Sequence, residues 1–322
     1  MPPIPTSTLP TKPSLTALLR LALPLSGAML SQALLGLVDT ALVGHLGGLA
    51  LASVSIGSYL VFILTALLTG FGTGLHTYVS QSKIASTWLS SGLWFGLSLA
   101  IVLSAIAALV APEVITAFVL DDRINSLALH YTQWRLWGLP AIVLSISMRV
   151  YWSHQGQPWQ FAKILLLAHV ANVPISYALI YGIGVPAMGA SGAALGTSIA
   201  LWLGAFMQWL HFVRAHGSVP LRAPKVDQIR QLIYLGWPSM VQQLAFSMHL
   251  AVFMWIVSHL GASALAATFS VLNVGLLLVL PAVGLGQATL SLIGKAIAQQ
   301  DATRIKQWSR LILITGLLSS VM

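Results

Sequence analysis

The chain contains no cysteine. That absence excludes a disulfide framework, a thiolate metal site and a cysteine nucleophile. Charged residues are scarce as well, because Asp, Glu, Lys and Arg make up only 7% of the 322 residues. A soluble domain averages roughly 25% charged residues, so this chain has too few charged side chains to cover a surface in water. We therefore predict a membrane protein.

Acidic residues are the scarcest charged class, with six Asp and Glu against fifteen Lys and Arg. In a soluble protein this excess would suggest a nucleic-acid partner. Here the basic residues fall between long apolar runs, which is the pattern that sets orientation in a bilayer. The expected partner is the lipid bilayer, and no nucleic-acid partner is expected.

Apolar runs fill most of the sequence, in keeping with 57% hydrophobic residues and a mean hydropathy of +0.88. Crossing a bilayer as a helix takes about 20 residues. Runs of that length lie at about 17–43, 50–78, 88–111, 127–150, 161–182, 188–213, 230–257 and 264–294, and another begins near Trp308 and stops at Met322. Because a backbone in lipid must satisfy its own hydrogen bonds, the sequence predicts an all-α, polytopic membrane helix bundle.

The basic residues predict orientation and domains. With a cytoplasmic amino terminus, all Lys and Arg except Arg123 and Arg135 fall on the inner side, as the positive-inside rule requires. We expect a multi-pass protein of the plasma (inner) membrane. The predicted domains are a disordered cytoplasmic tail at 1–14, a lobe of six transmembrane helices at 15–214, a cytoplasmic linker at 215–229, and a partial second lobe at 230–322 with two full helices and a truncated third.

An internal repeat supports these two lobes. A shift of 214 residues lays VGHLGGLALA (Val43 to Ala52) on VSHLGASALA (Val257 to Ala266), with seven of ten positions identical. The same shift lays Gly70 on Gly284 and Gly72 on Gly286. Repeats of six crossings each would be parallel, as in transporters built from two similar halves. The second repeat is incomplete, so we expect this chain to be a fragment of a longer protein.

Asp39 is predicted to be the only acidic residue within an apolar run, in LLGLVDTALVGHLGG (Leu34 to Gly48). Ionisable groups within lipid are costly and are functional candidates. Burial favours the neutral form of a carboxyl group, so a carboxyl in an internal cavity can load and release a proton. The alternative is a solvated carboxylate at the outer interface, where the penalty is much smaller.

Three polar residues are expected at the depth of Asp39. Asn172 and Ser176 lie four residues apart on one face of the fifth segment, and Thr197 lies at a similar height on the sixth. Their alternative role is interhelical hydrogen bonding. Pro24 and Pro238, which the repeat also relates, are predicted either to bend their helices or to occupy early helical positions; both alternatives stay open.

Several of these segments resemble the multidrug and toxic compound extrusion (MATE) transporters, most closely their DinF-like branch. The resemblance rests on RLALP (Arg20 to Pro24), the Leu34 to Gly48 segment, the run from Asn172 to Thr197, and VGLGQATLSLIGKAIAQQD (Val283 to Asp301). It implies two six-helix lobes around a central cavity, from which an organic cation leaves as a proton or sodium ion enters. It also implies a transporter that is not an enzyme and needs no cofactor.

The resemblance assigns roles to site residues as well. Asp39 matches the coupling carboxylate of the first helix, Asn172 the amide of the fifth and Thr197 a hydroxyl of the sixth. Ser176 departs from the family, since many relatives have a second carboxylate four residues after the asparagine. A two-carboxylate sodium site is therefore disfavoured, and the sequence favours proton coupling through Asp39. The sequence predicts no particular oligomeric state.

The sequence leaves three alternatives to a proton-coupled exporter. A flippase for lipid-linked saccharides would need a cationic cavity for pyrophosphate, and only Arg135 and Arg149 approach the bundle interior. A membrane enzyme would need clustered catalytic groups, whereas Asp121 and Asp122 form an isolated pair in an outer loop. A fragment without transport activity is the third alternative.

Overall fold

The computed structural model describes residues 10, 12–82, 85–118, 121–216, 223–258 and 262–321. Within these ranges the secondary structure is helical without strands, which confirms the all-α prediction. The helices in chain order are α1 (Leu15–Gly44), α2 (Gly48–Gln81), α3 (Ala85–Phe118), α4 (Asp122–Leu136), α5 (Leu139–His154), α6 (Pro158–Tyr181), α7 (Ala190–His216), α8 (Val226–Ser258), α9 (Ala262–Ala298) and α10 (Ala302–Val321).

Local sequence signals set the bounds of α1 and α2. The Ser14 hydroxyl caps α1 by accepting a hydrogen bond from the Ala17 amide at 3.2 Å, as expected of an N-cap serine. At the far end, His45 Nδ1 lies 2.8 Å from the Ala41 carbonyl oxygen. The chain then reverses through Gly47, whose φ of +100° is readily adopted only by glycine. This short turn places α2 antiparallel to α1.

Six segments in the described ranges are long and apolar enough to cross a bilayer: Leu15–Gly44, Gly48–Gln81, Thr87–Ala117, Pro158–Tyr181, Ala190–Ala215 and Val279–Ala298. The sequence predicted eight complete crossings. The seventh, at 230–257, lies within the 33-residue helix α8 but is not among the six. Polar residues such as Gln242 and Gln243 lower the hydropathy of α8.

The fourth predicted segment, 127–150, is two helices rather than one. The physical cause is Pro140, which has no amide hydrogen to donate to the Leu136 carbonyl. The backbone keeps right-handed helical dihedrals through Trp137 and Gly138, so α5 continues in the direction of α4 after a local break. Neither piece alone is long enough to be counted as a span.

Side chains of other helices satisfy the carbonyl groups at the break. The Ser104 hydroxyl of α3 donates to the Leu136 carbonyl at 3.3 Å. From α7, Ser198 donates to the Trp134 carbonyl at 2.8 Å and the Trp202 indole donates to the Trp137 carbonyl at 3.0 Å. Irregular backbone is tolerated at membrane depth only with such partners.

The packing of the helices follows the internal repeat. The 214-residue shift carries α1 onto α8 and α2 onto α9, and the most extensive contacts between the two copies are α1 with α9 and α2 with α8. At both crossings a glycine allows backbone contact. A Cβ on Gly70 would lie 2.6 Å from the Met240 backbone, and one on Gly284 would overlap Ser26. Ser26 and Met240 are themselves related by the shift.

Helix ends extend into the predicted connections. α7 continues to His216 and α8 begins at Val226, both inside the predicted linker of 215–229. α10 begins at Ala302, earlier than the Trp308 start predicted from hydropathy. Asp301 caps its polar first turn by accepting a hydrogen bond from the Arg304 amide at 3.0 Å, and the two side chains also form an ion pair. Most of the predicted tail at 1–14 lies outside the described residues. The division into lobes stays a prediction.

Candidate functional site

Asp39 and Thr197, which the sequence predicts at one depth, are in direct contact. The Thr197 hydroxyl of α7 lies 2.8 Å from Oδ2 of Asp39 on α1. Thr197 is 8% exposed and the Asp39 side chain is half-buried. Asp39 Oδ1 is also buried, and it has no hydrogen-bond partner in the described part of the chain. The site therefore holds one satisfied and one unsatisfied carboxyl oxygen.

Thr197 can serve either protonation state of the carboxyl group. Its hydroxyl also lies 2.9 Å from the Ala193 carbonyl oxygen of its own helix. A hydroxyl has one hydrogen but two acceptor lone pairs. With Asp39 ionised, Thr197 donates to Oδ2. With Asp39 protonated, the carboxyl can donate to Thr197, which then donates to the Ala193 carbonyl.

Asn172 and Ser176 form a second polar pair, on α6. The Ser176 hydroxyl donates to Asn172 Oδ1 at 3.0 Å, and both side chains are fully buried. Asn172 Nδ2 is buried without a hydrogen-bond partner among the described residues. A buried amide donor without a partner is costly. This pair therefore presents a free donor inside the bundle.

Small residues of α7 bring the two pairs together. A Cβ on Gly196 would overlap the Ser176 hydroxyl, and one on Gly192 would lie 2.6 Å from the Leu179 backbone. α6 and α7 are therefore in backbone contact beside Thr197. The structure places Ser176 against Gly196, the residue that precedes Thr197, and Asn172 is joined to this place through its hydrogen bond with Ser176. No hydrogen bond joins the two pairs within the described ranges.

Two contacts fasten α6 to α1 on either side of Asp39. The Tyr181 hydroxyl donates to the Leu42 carbonyl at 2.9 Å, three residues beyond Asp39. In the other direction, the Ser31 hydroxyl lies 2.9 Å from His169 Nδ1. Asp39 therefore lies on a stretch of α1 that is held against α6 at both ends.

Asp39 is not the only acidic residue within an apolar span, so that prediction was wrong. α3 extends to Phe118, and the apolar segment Thr87–Ala117 includes Glu113. The sequence placed the end of this run at 111 because Pro112 and Glu113 interrupt it, but Pro112 is accommodated inside the helix. The Glu113 side chain is exposed, whereas that of Asp39 is half-buried.

Arg135 is a neighbour of this site that the sequence noted as an orientation exception and as a basic residue near the bundle interior, but did not connect with Asp39. It lies in the last turn of α4. Its Nε and Nη1 atoms are buried and have no hydrogen-bond partner in the described structure. The guanidinium is near enough to act electrostatically on the Asp39 carboxyl. The signal available in the sequence was a basic residue in the outer half of an apolar segment.

His76 of α2 forms a separate polar cluster that the sequence missed. Its side chain is 1% exposed. Its Nε2 lies 2.8 Å from the Ser291 hydroxyl and its Nδ1 lies 3.2 Å from Gln287 Oε1, both on α9. The sequence feature that could have identified His76 was an ionisable side chain inside a long apolar run. Its partners are far away in sequence, so no local pattern indicated them.

Pro24 and Pro238 both lie inside their helices and not in the first turn. Each removes one backbone donor in α1 or α8. This position agrees with a helix bend and disagrees with an early helical position. Their role in a conformational change stays a prediction.

A family model described as MatE matches residues 24–178 and 238–322. The matched parts include Asp39 and Asn172, and they cover most of the chain. The gap between them contains α7 with Thr197, together with the connection to α8.

Two curated relatives are similar over most of the chain. The probable multidrug resistance protein NorM of Pasteurella multocida (strain Pm70) is 27% identical over 319 residues, which are 94% of this chain and 68% of the relative. The multidrug resistance protein NorM of Burkholderia vietnamiensis is 30% identical over 293 residues, 88% of this chain and 63% of the relative. Membership of the DinF-like branch stays a prediction.

Solved structures have the same fold at low sequence identity. The crystal structure of a MATE protein in complex with MaL6 has a TM-score of 0.84 at 19% identity and covers 94% of this chain and 70% of its own. An outward-facing multidrug resistance MATE family transporter has a TM-score of 0.81 at 20% identity, with 94% and 69% covered. Together with the apolar spans and the family match, these findings place the chain in the MatE family of membrane transporters, whose members are not enzymes.

Proposed function

We propose that this protein exports organic cations, including drugs, across the plasma (inner) membrane in exchange for protons. In this proposal the amino terminus is cytoplasmic, two parallel repeats surround the substrate, and Asp39 carries the proton. The family membership supports transport, and the NorM relatives are named for multidrug resistance. No cofactor is needed, because the proton gradient supplies the energy.

The observation that carries the proposal is the contact between Asp39 and Thr197. Coupling requires a group that is stable both with and without its proton. The Thr197 hydroxyl, placed between Asp39 Oδ2 and the Ala193 carbonyl oxygen, can donate to either. In each protonation state of Asp39, Oδ2 therefore keeps a hydrogen bond with Thr197, and the change between the two states rotates the Thr197 hydroxyl.

The polar pair on α6 favours a proton over sodium. Sodium is a hard cation that needs several oxygen ligands, and in such sites carboxylates also balance its charge. Beside Asp39 the chain offers neutral Asn172 and Ser176, and Asn172 Oδ1 already accepts from the Ser176 hydroxyl. A proton needs only the one carboxyl group.

A flippase for lipid-linked saccharides is not favoured. Pyrophosphate recognition calls for several Arg or Lys side chains around one cavity. Arg135 is the basic side chain that acts on the Asp39 site, and the curated relatives are named for multidrug resistance.

The test is efflux from proteoliposomes that contain this chain. The fluorescent cation ethidium is loaded, a pH gradient is imposed, and its movement is followed for the wild type and for Asp39→Asn. The amide keeps the size of the carboxyl group but cannot exchange a proton, so the variant is expected to lose gradient-driven efflux while inserting normally.

The matched control is Glu113→Gln, which makes the same chemical change at an exposed carboxylate on α3. It is expected to transport as the wild type does. Undiminished efflux by Asp39→Asn, or equal losses in the two variants, would contradict the assignment of Asp39. Efflux driven equally by a sodium gradient at constant pH would contradict proton coupling.

A further inference from the structure

Asp39 and Arg135 carry opposite charges, and each has buried polar atoms that lack a partner. For Asp39 the atom is Oδ1, and for Arg135 the atoms are Nε and Nη1. The described residues form an ion pair between Arg304 and Asp301, but not between Arg135 and Asp39. Leaving an acceptor and two donors unsatisfied inside the bundle is costly. These atoms are chemically complementary.

The helix geometry places the two side chains at the same depth. Val43 of α1 and Tyr131 of α4 belong to one buried apolar cluster. Residues four apart lie one turn apart on the same helix face. Asp39 is four residues before Val43, and Arg135 is four residues after Tyr131. The chain reverses direction at each crossing, so α1 and α4 are antiparallel. The step from Val43 to Asp39 and the step from Tyr131 to Arg135 therefore lead away from the cluster in the same direction.

α7 holds both partners through consecutive residues. Thr197 donates to the Asp39 carboxyl group, and Ser198 donates to the carbonyl of Trp134, the residue before Arg135. The last turn of α4 is therefore fixed against the same turn of α7 that binds Asp39. The guanidinium therefore lies near the carboxyl group, although the described structure shows no ion pair between them.

We propose that Arg135 is the internal counter-cation of Asp39, and that it specifies protons as the coupling ion. This inference rests on the proposed function of Asp39. When the proton leaves Asp39 for water, the carboxylate charge that remains is balanced by the guanidinium, which pairs with it. When a proton returns, the pair separates. The guanidinium occupies the place that a sodium ion would otherwise take beside the carboxylate.

Other titratable groups on the surrounding helices are engaged elsewhere. On α6, His169 contacts Ser31 and Tyr181 binds the Leu42 carbonyl. His45, on α1 itself, binds the Ala41 carbonyl. The remaining titratable side chains that the structure describes on α1, α4 and the helices packed around them are Arg20 on α1, Tyr59, His76 and Tyr78 on α2, Glu113 on α3, Asp122, Arg123, His130 and Tyr131 on α4, Lys163 and Tyr177 on α6, His211 and Arg214 on α7 and Lys295 on α9.

None of these remaining groups takes the place of Arg135 beside Asp39. Tyr59 donates to the Ser247 carbonyl, His76 contacts Ser291, and the Tyr131 hydroxyl accepts from Ser58. Tyr78 stacks on Trp88. Tyr177 packs against Tyr181, His211 packs against Trp152, and Lys295 is in the last turn of α9. The others are exposed: Arg20, Glu113, Asp122, Arg123, His130, Lys163 and Arg214.

The competing explanation is structural. A cation in the last turn of a helix interacts favourably with the carbonyl end of the helix dipole, and Arg135 has that position in α4. In that case its removal would lower stability without changing the proton affinity of Asp39. A titration of Asp39 therefore distinguishes the two explanations, whereas a stability measurement does not.

The experiment titrates Asp39 directly, without relying on transport. Infrared spectra of this chain in lipid vesicles are recorded against pH in sodium-free potassium buffer, and the protonated carboxyl band of Asp39 is identified by its loss in Asp39→Asn. In Arg135→Gln this band is expected to persist to higher pH by about one unit, a tenfold change in proton affinity, since a nearby opposite charge shifts a carboxyl group by this order. Arg135→Lys is expected to titrate close to the wild type.

A second arm and a control complete the test. Replacing potassium by sodium should lower the titration midpoint of Asp39 in Arg135→Gln but not in the wild type.

The control variant is Arg123→Gln, which removes the same charge from the exposed first turn of α4 and should titrate as the wild type does. Equal midpoints in Arg135→Gln and the wild type overturn the counter-cation and leave the role of Asp39 intact. If Asp39→Asn removes no band, the proposed function itself fails.

Discussion

His76 Nε2 lies 2.8 Å from the Ser291 hydroxyl and ties α2, in the first copy of the repeat, to α9 in the second. The imidazole also contacts Gln287 Oε1. A neutral ring with its hydrogen on Nδ1 satisfies both neighbours, because Nδ1 donates to Gln287 and Nε2 accepts from Ser291. One buried side chain thus bridges the two halves of the described bundle.

Replacing His76 with alanine should destabilise the protein. It leaves Gln287 and Ser291, both buried, without their partner, and the expected loss is about 1–3 kcal/mol in the free energy of unfolding. Equilibrium unfolding in mixed detergent micelles measures it. His130→Ala, at an exposed position on α4, is the control and should change little. Equal stability of His76→Ala and the wild type would show that the bridge contributes nothing.

Two glycines on α9 provide a matched test of the helix crossings. A Cβ on Gly284 would overlap Ser26 of α1, while one on Gly286 would have nothing within 4 Å. We expect Gly284→Ala to lower stability by about 1–3 kcal/mol through overpacking. Gly286→Ala should be neutral or slightly stabilising, since alanine favours helix more than glycine does. Thermal melting in detergent compares the two, and a larger loss at Gly286 would refute the α1–α9 contact.

Thr197→Val keeps the shape of the side chain but removes the hydroxyl that serves Asp39. Hydrogen bonds to charged groups contribute about 1.5–3 kcal/mol, so the ionised carboxylate loses support and should hold its proton to a pH about one unit higher. The pH profile of ethidium efflux, or the infrared titration of Asp39, measures this shift. Thr197→Ser keeps the hydroxyl and should leave the profile nearly unchanged; an equal shift in both variants would exclude the hydroxyl as the cause.

The break between α4 and α5 can be tested by a double-mutant cycle. Ser104→Ala removes the donor to the Leu136 carbonyl and should cost about 1 kcal/mol of unfolding free energy. Pro140→Ala restores a backbone donor to that carbonyl, so adding Ser104→Ala in this background should cost much less. The free energies of unfolding of the wild type, the two single variants and the double variant give the coupling energy between Ser104 and Pro140. Additive effects would mean that Ser104 does not compensate for Pro140.

The sequence predicted those features that follow from local composition and from the repeat. Helix type and most helix positions follow from apolar runs in lipid, where no other backbone arrangement is satisfied. The sequence predicted a similar depth for Asp39 and Thr197, on the first and sixth segments, but it did not predict their direct contact. The repeat aligned Gly70 with Gly284, but it did not predict the close crossings that these glycines make with Met240 and Ser26.

The sequence did not predict features that depend on contacts between distant residues. Pro140 was visible, but hydropathy averages over it, so two helices were read as one segment. The environment of His76 depends on Gln287 and Ser291, which lie on another helix of the bundle. The proximity of Arg135 to Asp39 depends on α7, which binds both α4 and α1. No pattern within one segment encodes that arrangement.

The hydrogen bonds at the end of α4 have a mechanical consequence. Ser104, Ser198 and Trp202 each bind a different carbonyl group there, and separating α4 from α3 or α7 would expose those carbonyls to hydrocarbon. These three helices must therefore shift together whenever the protein changes shape.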